Sequence, residues 1–297
     1  MNLRNDTAPP DPMPQSAVRN SQFVDLHLHT NQSDGADSPA QVVAQAKALG
    51  FAAIAITDHD TVAGIPEADA AARKCGIEFL SGVEITASFA NAEVHVVGLG
   101  IDVVHRPLLD ALDSLAADRA LRADKIVERL SKLGVLLDRT EVERFAVHGT
   151  IGRMHIAQAL QRRGITKTVQ QGFDKYLKKG RKAYVPLPRL SCREAIDVIH
   201  AARGLAIVAH PGIGRTTTRL LPRLLALPFD GLEVYHTGHS PGQVTQFAQL
   251  ARERGLLVSG GSDSHGAAKG EGSDLGKVRV PYACFERIRE AVLRVRS

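Results

Sequence analysis

The clearest signal of fold and chemistry in this sequence is the stretch Phe23-Val-Asp-Leu-His-Leu-His-Thr30. It is a short apolar run that carries two histidines at positions i and i+2. Because the side chains of a β-strand alternate between its faces, His27 and His29 are predicted to point the same way. Two imidazoles on one face, at the carboxyl end of a strand, form a natural grip for a metal ion. The stretch therefore predicts a first strand that ends in a metal site.

Further metal-ligating residue types follow, mostly just after later apolar runs. They are Asp34, Asp58-His59-Asp60, Glu84, His95, His210 and Asp263-Ser-His265. A barrel builds one site from distant parts of the sequence by placing functional residues at the ends of many strands. A His, Asp and Glu set without Cys suits Mn²⁺, Fe²⁺ or Zn²⁺, and its carboxylates allow clusters of two or three ions. Such a site activates a water and neutralises an anionic oxygen, and phosphate-ester hydrolysis needs both effects.

Strand-like and helix-like segments alternate in most of the chain, which predicts an α/β fold with mainly parallel strands. About seven strands can be counted, so a seven-stranded (β/α) barrel is expected over 22–101 and 189–297. Residues 102–188 interrupt the alternation and are predicted to form a small helical insertion that serves as a substrate domain. Its helices are expected at 108–133, 139–146, 152–163 and 168–180. Residues 1–21, rich in Pro, Asn, Asp and Ser, are predicted to be a disordered tail.

The composition limits the class of protein. A hydrophobic content of 44% provides for a large core, and a net charge of +5 suits an anionic substrate but is too small for a protein that coats nucleic acid. Three scattered cysteines indicate reduced thiols in a cytosolic protein. No apolar run reaches the roughly 18 residues of a membrane span, and residues 1–21 lack the apolar core of a secretory signal. We expect a cytoplasmic protein that has no membrane association and no obligatory protein partner.

Taken together, the motifs resemble those of the polymerase and histidinol phosphatase (PHP) domain. The matching residues are His27-Leu-His29, Thr57-Asp-His-Asp60, Gly82-Val-Glu84, His95, His210-Pro and Gly261-Ser-Asp-Ser-His265. The resemblance covers about 22–101 and 189–297, and it implies a distorted (β/α)₇ barrel of the amidohydrolase superfamily. Two stretches of the insertion, 152–157 and 170–180, resemble the subgroup that hydrolyses nucleoside 3′,5′-bisphosphates. Members of that subgroup are also described as 5′-to-3′ exonucleases acting on short RNA.

The resemblance implies a set of metal ligands for two or three divalent ions. They are His27, His29, Asp34, His59, Glu84, His95, His210, Asp263 and His265. Manganese is the metal that the resemblance favours, whereas the ligand types alone do not choose it over zinc or iron. Glu84 is expected to bridge two ions, and Asp58 to orient an imidazole or the nucleophilic water. Asp34 also fits an ordinary turn, because it lies in Ser33-Asp34-Gly35.

The insertion is expected to bind the second phosphate of a bisphosphate. The candidate cations are Arg153, Lys175, Lys178, Lys179 and Arg181. Arg153 ranks first, because it opens a helix whose backbone N–H groups also face an anion. The run Lys178–Lys182 fits a solvated surface equally well. His236, which follows a strand, is expected to hold the scissile phosphate or to protonate the leaving oxygen.

The remaining polar residues carry no motif support and receive structural roles. His105, His148, His200 and His239 are predicted to be surface or core residues. His155 could brace the insertion, and Asp60 could cap the helix that follows it instead of orienting a ligand.

Four functions are weighed. The first is a metal-dependent phosphomonoesterase that converts adenosine 3′,5′-bisphosphate to AMP and phosphate through attack by a metal-bound hydroxide. The second is a 5′-to-3′ exoribonuclease acting on short 5′-phosphorylated oligonucleotides with the same metals. Histidinol phosphate hydrolysis is disfavoured by the nucleotide-type insertion, and a catalytically inactive binding module is disfavoured by the intact metal motifs. The expected partner is thus a small anionic nucleotide or a short RNA.

Overall fold

A computed structural model describes residues 23–146, 151–187, 189–269 and 273–297. The strands of its sheet are β1 (Phe23–Leu28), β2 (Ala53–Ile56), β3 (Glu78–Phe89), β4 (Ala92–Leu99), β5 (Leu205–Val208), β6 (Gly231–His236), β7 (Leu257–Gly261) and β8 (Val280–Pro281). They follow the order β7-β6-β5-β4-β3-β2-β1-β8. The end of β7 returns to β1, where the His29 N–H donates to the Ser264 carbonyl at 3.0 Å, so the sheet forms a nearly closed barrel. The predicted α/β barrel is confirmed, with a two-residue eighth strand that the sequence count missed.

Helices connect most of the strands, but β4 follows β3 directly, and several helices lie between β4 and β5. The α-helices are α1 (Pro39–Ala48), α2 (Ile65–Cys75), α3 (Arg106–Lys132), α4 (Arg139–Glu143), α5 (Arg153–Arg162), α6 (Val169–Gly172), α7 (Cys192–Ala201), α8 (Arg215–Leu224), α9 (Pro241–Arg254) and α10 (Tyr282–Arg296). A π-helical turn, Phe173–Leu177, continues α6, and a 3₁₀ turn covers Gly266–Lys269. Ser38 and Ser191 cap α1 and α7 through capping boxes.

The antiparallel hairpin of β3 and β4 departs from the predicted parallel pattern. β4 also pairs antiparallel with β5, whereas β1–β2, β2–β3, β5–β6 and β6–β7 are parallel. A two-residue turn joins the hairpin, and its residues Ala90 and Asn91 have φ values of 49° and 63°. Positive φ at both positions is typical of a type I′ turn, which usually carries Asn-Gly. Because the sequence shows Ala-Asn there, the turn gave no strong signal.

Helix α3 contributes to two of the hydrophobic cores among the described residues. Leu108 and Leu112, in its first half, pack in the core between the sheet and the helices that cover it. Ile126 and Leu130, in its second half, pack in a separate core with α4, α5, α6 and the π-helical turn. The helical insertion therefore has its own core but is tied to the barrel by one continuous helix. The middle of α3 lies at the junction of the two parts.

Two parts of the chain that received predictions, the tail at 1–21 and His148, lie outside the described residues. Within the described ranges, no helix combines the length and the apolar character that a bilayer crossing requires. Cys75, Cys192 and Cys284 are free thiols.

Candidate active site

The fully buried carboxylate of Glu84, on β3, lies at the centre of a cluster of histidines. Imidazole nitrogens of five residues lie within 3.4 Å of its oxygens, and they belong to His27, His29, His59, His95 and His210. His27 and His29 both approach Oε2, at 3.4 and 3.3 Å, as expected for side chains on one face of a strand. His95 and His210 approach Oε1, at 2.9 and 3.0 Å. One carboxylate thus meets imidazoles from four different parts of the barrel.

Two further carboxylates and a sixth imidazole complete the cluster. Asp263 Oδ1 lies 3.0 Å from His29 Nε2, and Asp34 Oδ1 lies 3.1 Å from His265 Nε2. The ligand atoms form three groups in which all atoms lie within 4.8 Å of one another. These groups are His29, Asp34, His59 and His265; His27, His29, Glu84 and Asp263; and His59, Glu84 and His95. Glu84 belongs to two groups, and His210 reaches it from the side, so all nine predicted ligand positions lie together.

Unpartnered buried atoms show that this cluster fits metal ions. His27 Nε2, both ring nitrogens of His29, His59 Nδ1 and Glu84 Oε2 are buried and have no hydrogen-bond partner. Buried polar atoms are almost always paired, so several unpaired atoms that converge on one place are suited to coordinate a common ion. Mixed nitrogen and oxygen donors at this spacing are the set that Mn²⁺, Fe²⁺ and Zn²⁺ accept. The residues therefore fit the divalent ions that the sequence predicted.

The carboxylates and imidazoles of the cluster shift one another's pKa values. Burial lowers the pKa of His29, but Asp263 and Glu84 outweigh burial and raise it to about 9. Burial likewise lowers the pKa of His95, but Glu84 and Glu93 raise it to about 10. Burial raises the pKa of Glu84, yet the surrounding imidazoles hold it well below its usual range. The raised imidazole pKa values mean that protons and divalent ions would compete for the same ring nitrogens, so metal binding is expected to depend on pH.

Two buried carboxylates that the sequence analysis missed hold the cluster in place. Glu233, on β6, places Oε1 3.1 Å from His27 Nδ1, and its Oε2 accepts the His210 N–H at 2.6 Å. Asp25 accepts the N–H groups of Ser262 and His27 at 3.0 and 3.3 Å, and burial raises its pKa to about 6. Each is the only acid of its strand and stands among buried residues, which is the signal that could have revealed them. A carboxylate placed like Glu233 fixes the orientation of a metal-ligating imidazole.

We expect Glu233→Gln to weaken Mn²⁺ binding by about 10–100-fold, because the amide holds the His27 ring and the His210 backbone less firmly. Binding isotherms of the purified variant measure this loss. Asp230→Asn is a matched control, since Asp230 also joins an imidazole, His200 Nε2, to a backbone N–H, that of Ala206, both at 2.7 Å. Equal Mn²⁺ affinities for the two variants would contradict the assigned role of Glu233.

Asp58 and Asp60 bind segments outside the ligand set. The hydrogen bonds of the Asp58 carboxylate go to Thr30 and Ser33, at 2.6–2.7 Å, so it fixes the loop after β1. No described hydrogen bond joins this carboxylate to an imidazole, and its expected role at the nucleophilic water stays a prediction. Asp60 does not cap α2, whose N-cap is Gly64. It instead accepts the Thr86 N–H at 2.9 Å and pairs with Arg119 of α3.

His236 lies buried beside the metal-ligand cluster. Its Nδ1 accepts the Gly238 N–H at 3.0 Å, so the neutral ring carries its proton on Nε2. Nε2 lies 3.6 Å from Asp263 Oδ2 and has no hydrogen-bond partner. His236 therefore has a free donor next to a predicted metal ligand, and its predicted role at the reacting phosphate stays a prediction.

Two histidines outside the ligand set brace the loops of the site. His239 connects the Val234 carbonyl, at 2.9 Å, with the Gly212 N–H, at 3.1 Å, and so holds the loop that follows His210. His155 is buried and accepts the Gly152 N–H at 3.1 Å, which fixes the start of α5. These positions agree with the structural roles expected for both residues.

A cavity of about 130 Å³ adjoins the metal-ligand cluster. Three of the predicted metal ligands line this cavity, namely Asp34, His59 and His95. Four arginines also line it, and we call Arg119, Arg122, Arg153 and Arg189 the arginine cluster. Met154, Phe173 and Leu187 add an apolar wall. The cavity therefore brings cationic and apolar surface close to the metal-ligand cluster, so that one small molecule could contact both.

The arginine cluster lacks enough negative charge to balance it. Arg122 is buried, donates through Nε to the Val185 carbonyl at 2.8 Å, and leaves Nη2 without a hydrogen-bond partner. Burial lowers the pKa of Arg122 to about 9, and Arg153 and Arg189 contribute by repulsion. The Arg153 guanidinium carbon lies 5.9 Å from the ring centroid of Phe173, which holds it against the cavity wall. Such an arrangement is suited to bind an anion.

The predicted lysines lie elsewhere on the insertion. Lys178 pairs with Asp174 at 2.5 Å, and Lys175 Nζ lies 4.9 Å from the ring centroid of Tyr176. Lys179 and Arg181 are exposed. Of the predicted cations, Arg153 alone is among the described lining residues. The sequence analysis missed the other three arginines, because an arginine on an amphipathic helix or in a connecting segment has no pattern that separates it from a surface residue.

Comparisons with known proteins agree with this site. Residues 25–187 match the PHP domain family. The chain is 37% identical to the 3′,5′-nucleoside bisphosphate phosphatase of Chromobacterium violaceum, over 92% of this chain and 97% of that protein. It is 38% identical to the 5′-3′ exoribonuclease Rnm of Escherichia coli, over 82% of this chain and 85% of that protein.

A solved structure extends the agreement to three dimensions. An amidohydrolase from Chromobacterium violaceum, with bound sulfate and no metal, superposes with a TM-score of 0.80 at 34% identity. The alignment covers 91% of this chain and 96% of that one. The resemblance that the motifs suggested is thus confirmed. The chain belongs to the PHP domain family, and it is a metal-dependent phosphoesterase of that family.

Proposed function

We propose that this phosphoesterase hydrolyses the 3′-phosphate of nucleoside 3′,5′-bisphosphates, converting adenosine 3′,5′-bisphosphate to AMP and phosphate. The observation that carries the proposal is the contact between the metal-ligand cluster and the arginine cluster in one cavity. A substrate with two phosphates on one sugar needs two such sites side by side. The phosphatase from Chromobacterium violaceum, at 37% identity, supports the same substrate class.

The metal-ligand cluster would hold two or three divalent ions, with Mn²⁺ favoured by the family resemblance. The proposed ligands are His27, His29, Asp34, His59, Glu84, His95, His210, Asp263 and His265. Ions bound there would lower the pKa of a water and offset negative charge on phosphoryl oxygens. Because Glu84 belongs to two ligand groups, we assign it the position between two ions.

The protein's own side chains would bind and orient the substrate. The non-reacting 5′-phosphate would be bound through charged hydrogen bonds by Arg153, Arg122 and Arg189, which we call the phosphate clamp. The related amidohydrolase that binds sulfate without metal supports anion binding by this type of protein. His236 would donate its Nε2 proton to a phosphoryl oxygen or to the leaving sugar oxygen. Lys175, Lys178 and Lys179, which lie outside the cavity lining, receive no part in the clamp.

A second candidate function is 5′-to-3′ exoribonuclease activity on short RNA, in the cytoplasm like the first. Exposed cations at 178–182 follow Phe173 of the cavity wall and would lie along the path of a longer strand. The similarity to the exoribonuclease Rnm supports this candidate. Both activities would use the same metal-ligand cluster.

The deciding experiment compares steady-state turnover of adenosine 3′,5′-bisphosphate with that of a 5′-phosphorylated diribonucleotide, in Mn²⁺. Phosphate release from the bisphosphate, lost in His59→Ala, is the expected result, because His59 belongs to two ligand groups. Preferred cleavage of the diribonucleotide would put the exoribonuclease first. Turnover of neither compound would refute both candidates.

A further inference from the structure

One acidic side chain, Glu93, contacts the arginine cluster inside the cavity. Its carboxylate pairs with Arg189 and lies 3.6 Å from Arg153 Nη2. Glu93 lies two residues before His95 on β4, so both side chains share a face of the strand. Glu93 Oε1 lies 3.6 Å from His95 Nε2. This residue therefore touches the proposed phosphate clamp and the metal-ligand cluster at the same time.

Glu93 is the counter-charge of the clamp. The guanidinium groups of Arg153, Arg189 and Arg119 repel that of Arg122, and the carboxylate of Glu93 opposes this repulsion. The Glu93 carboxylate lies within ion-pair distance of Arg189 and Arg153. Glu93 therefore occupies guanidinium surface that an incoming phosphate would need.

We propose that Glu93 sets a threshold for binding at the arginine cluster, because a substrate phosphate has to displace it from Arg153 and Arg189, and only a dianionic terminal phosphate does so effectively. This inference rests on the proposed function, which places the non-reacting phosphate at the arginine cluster. A phosphate monoester carries about −1.5 to −2 charges at pH 7, whereas a carboxylate carries one. Exchanging the carboxylate for a monoester therefore adds negative charge to the clamp. Exchanging it for a singly charged phosphodiester adds none.

The consequence concerns which nucleotides the cavity accepts. A free 5′-terminal phosphate, on a bisphosphate or on an RNA end, is a dianion and would be bound. An internal phosphodiester would be disfavoured at the same position. Glu93 would also limit how tightly the product AMP is retained, because it returns to the arginines when AMP leaves.

The test measures binding of AMP and of its 5′-O-methyl ester to the Mn²⁺-loaded enzyme by calorimetry. AMP lacks the 3′-phosphate, so it is not turned over by the proposed activity. The native enzyme is expected to prefer AMP over the singly charged ester by about tenfold or more. Glu93→Gln keeps the shape and removes the charge. Because both ligands have to displace the same carboxylate, this variant is expected to tighten binding of both by a similar factor, about tenfold, and to keep the preference for AMP.

Glu141→Gln is the matched control, because Glu141 also pairs with an arginine of the insertion, Arg163 at 3.0 Å, but does not line the cavity. It should leave both affinities unchanged. Weaker binding of both ligands to Glu93→Gln would show that Glu93 only holds the arginines in place, and would overturn the proposal. Unchanged affinities of both ligands would overturn it too. Native enzyme that neither binds AMP nor hydrolyses the bisphosphate would instead refute the proposed function, and the inference with it.

Discussion

Glu84→Gln is expected to lower kcat/KM for adenosine 3′,5′-bisphosphate by at least about a thousandfold, with weaker Mn²⁺ binding. The carboxylate is the contact point of five imidazoles and belongs to two of the three ligand groups. An amide of the same shape loses the charge that offsets metal ions. Its NH₂ group would also point at ring nitrogens where an oxygen was. Steady-state kinetics and Mn²⁺ isotherms measure the two losses.

A metal-free readout separates this effect from a folding defect. Glu84 is the main cause of the raised pKa of His95, about 10, so that pKa should fall in the variant. Nuclear magnetic resonance titration of the histidine rings records it. Glu128→Gln removes the same charge from an exposed position on α3 and should change neither property. Full activity of Glu84→Gln would exclude Glu84 from the metal site.

Arg153→Met is expected to raise KM for adenosine 3′,5′-bisphosphate by about 10–100-fold, the effect of losing a charged hydrogen bond of about 1.5–3 kcal/mol. Adenosine 3′-monophosphate has no 5′-phosphate, so its turnover should change by less than about twofold. The comparison of the two substrates by steady-state kinetics is the measurement. A loss confined to the bisphosphate would assign Arg153 to the binding of the 5′-phosphate.

Arg162→Met provides the control for Arg153. Both arginines belong to α5, and each guanidinium carbon lies 5.9 Å from a phenylalanine ring centroid, that of Phe173 or Phe145. Arg162 is absent from the described cavity lining, so its variant should turn over both substrates normally. If Arg153→Met impaired both substrates equally, Arg153 would shape the cavity without binding the 5′-phosphate.

The candidate metal site could be predicted from the sequence because its residues follow strand geometry. His27 and His29 are neighbours on one strand face, and Asp263 and His265 lie at the end of another strand. Strand ends of a barrel converge on one rim, so ligand types placed after apolar runs are brought together. The pairing of the strands was harder to predict from the sequence. Ala90 and Asn91 form the hairpin turn at positive φ without the glycine that usually marks it.

The barrel and the residues at its rim could be predicted from the sequence alone, because hydrophobic periodicity and metal-ligand residue types form local patterns in the chain. The residues that surround the metal ligands became known only from the tertiary structure. Glu233 of β6 meets His27 of β1, and Asp25 of β1 accepts the Ser262 N–H beyond β7. Arg119 and Arg122 reach the cavity because α3 is shared between two cores. Glu93 meets Arg189 from 96 residues away. Such partners are set by packing between distant segments, and a charged residue carries no local sign of which partner it will meet.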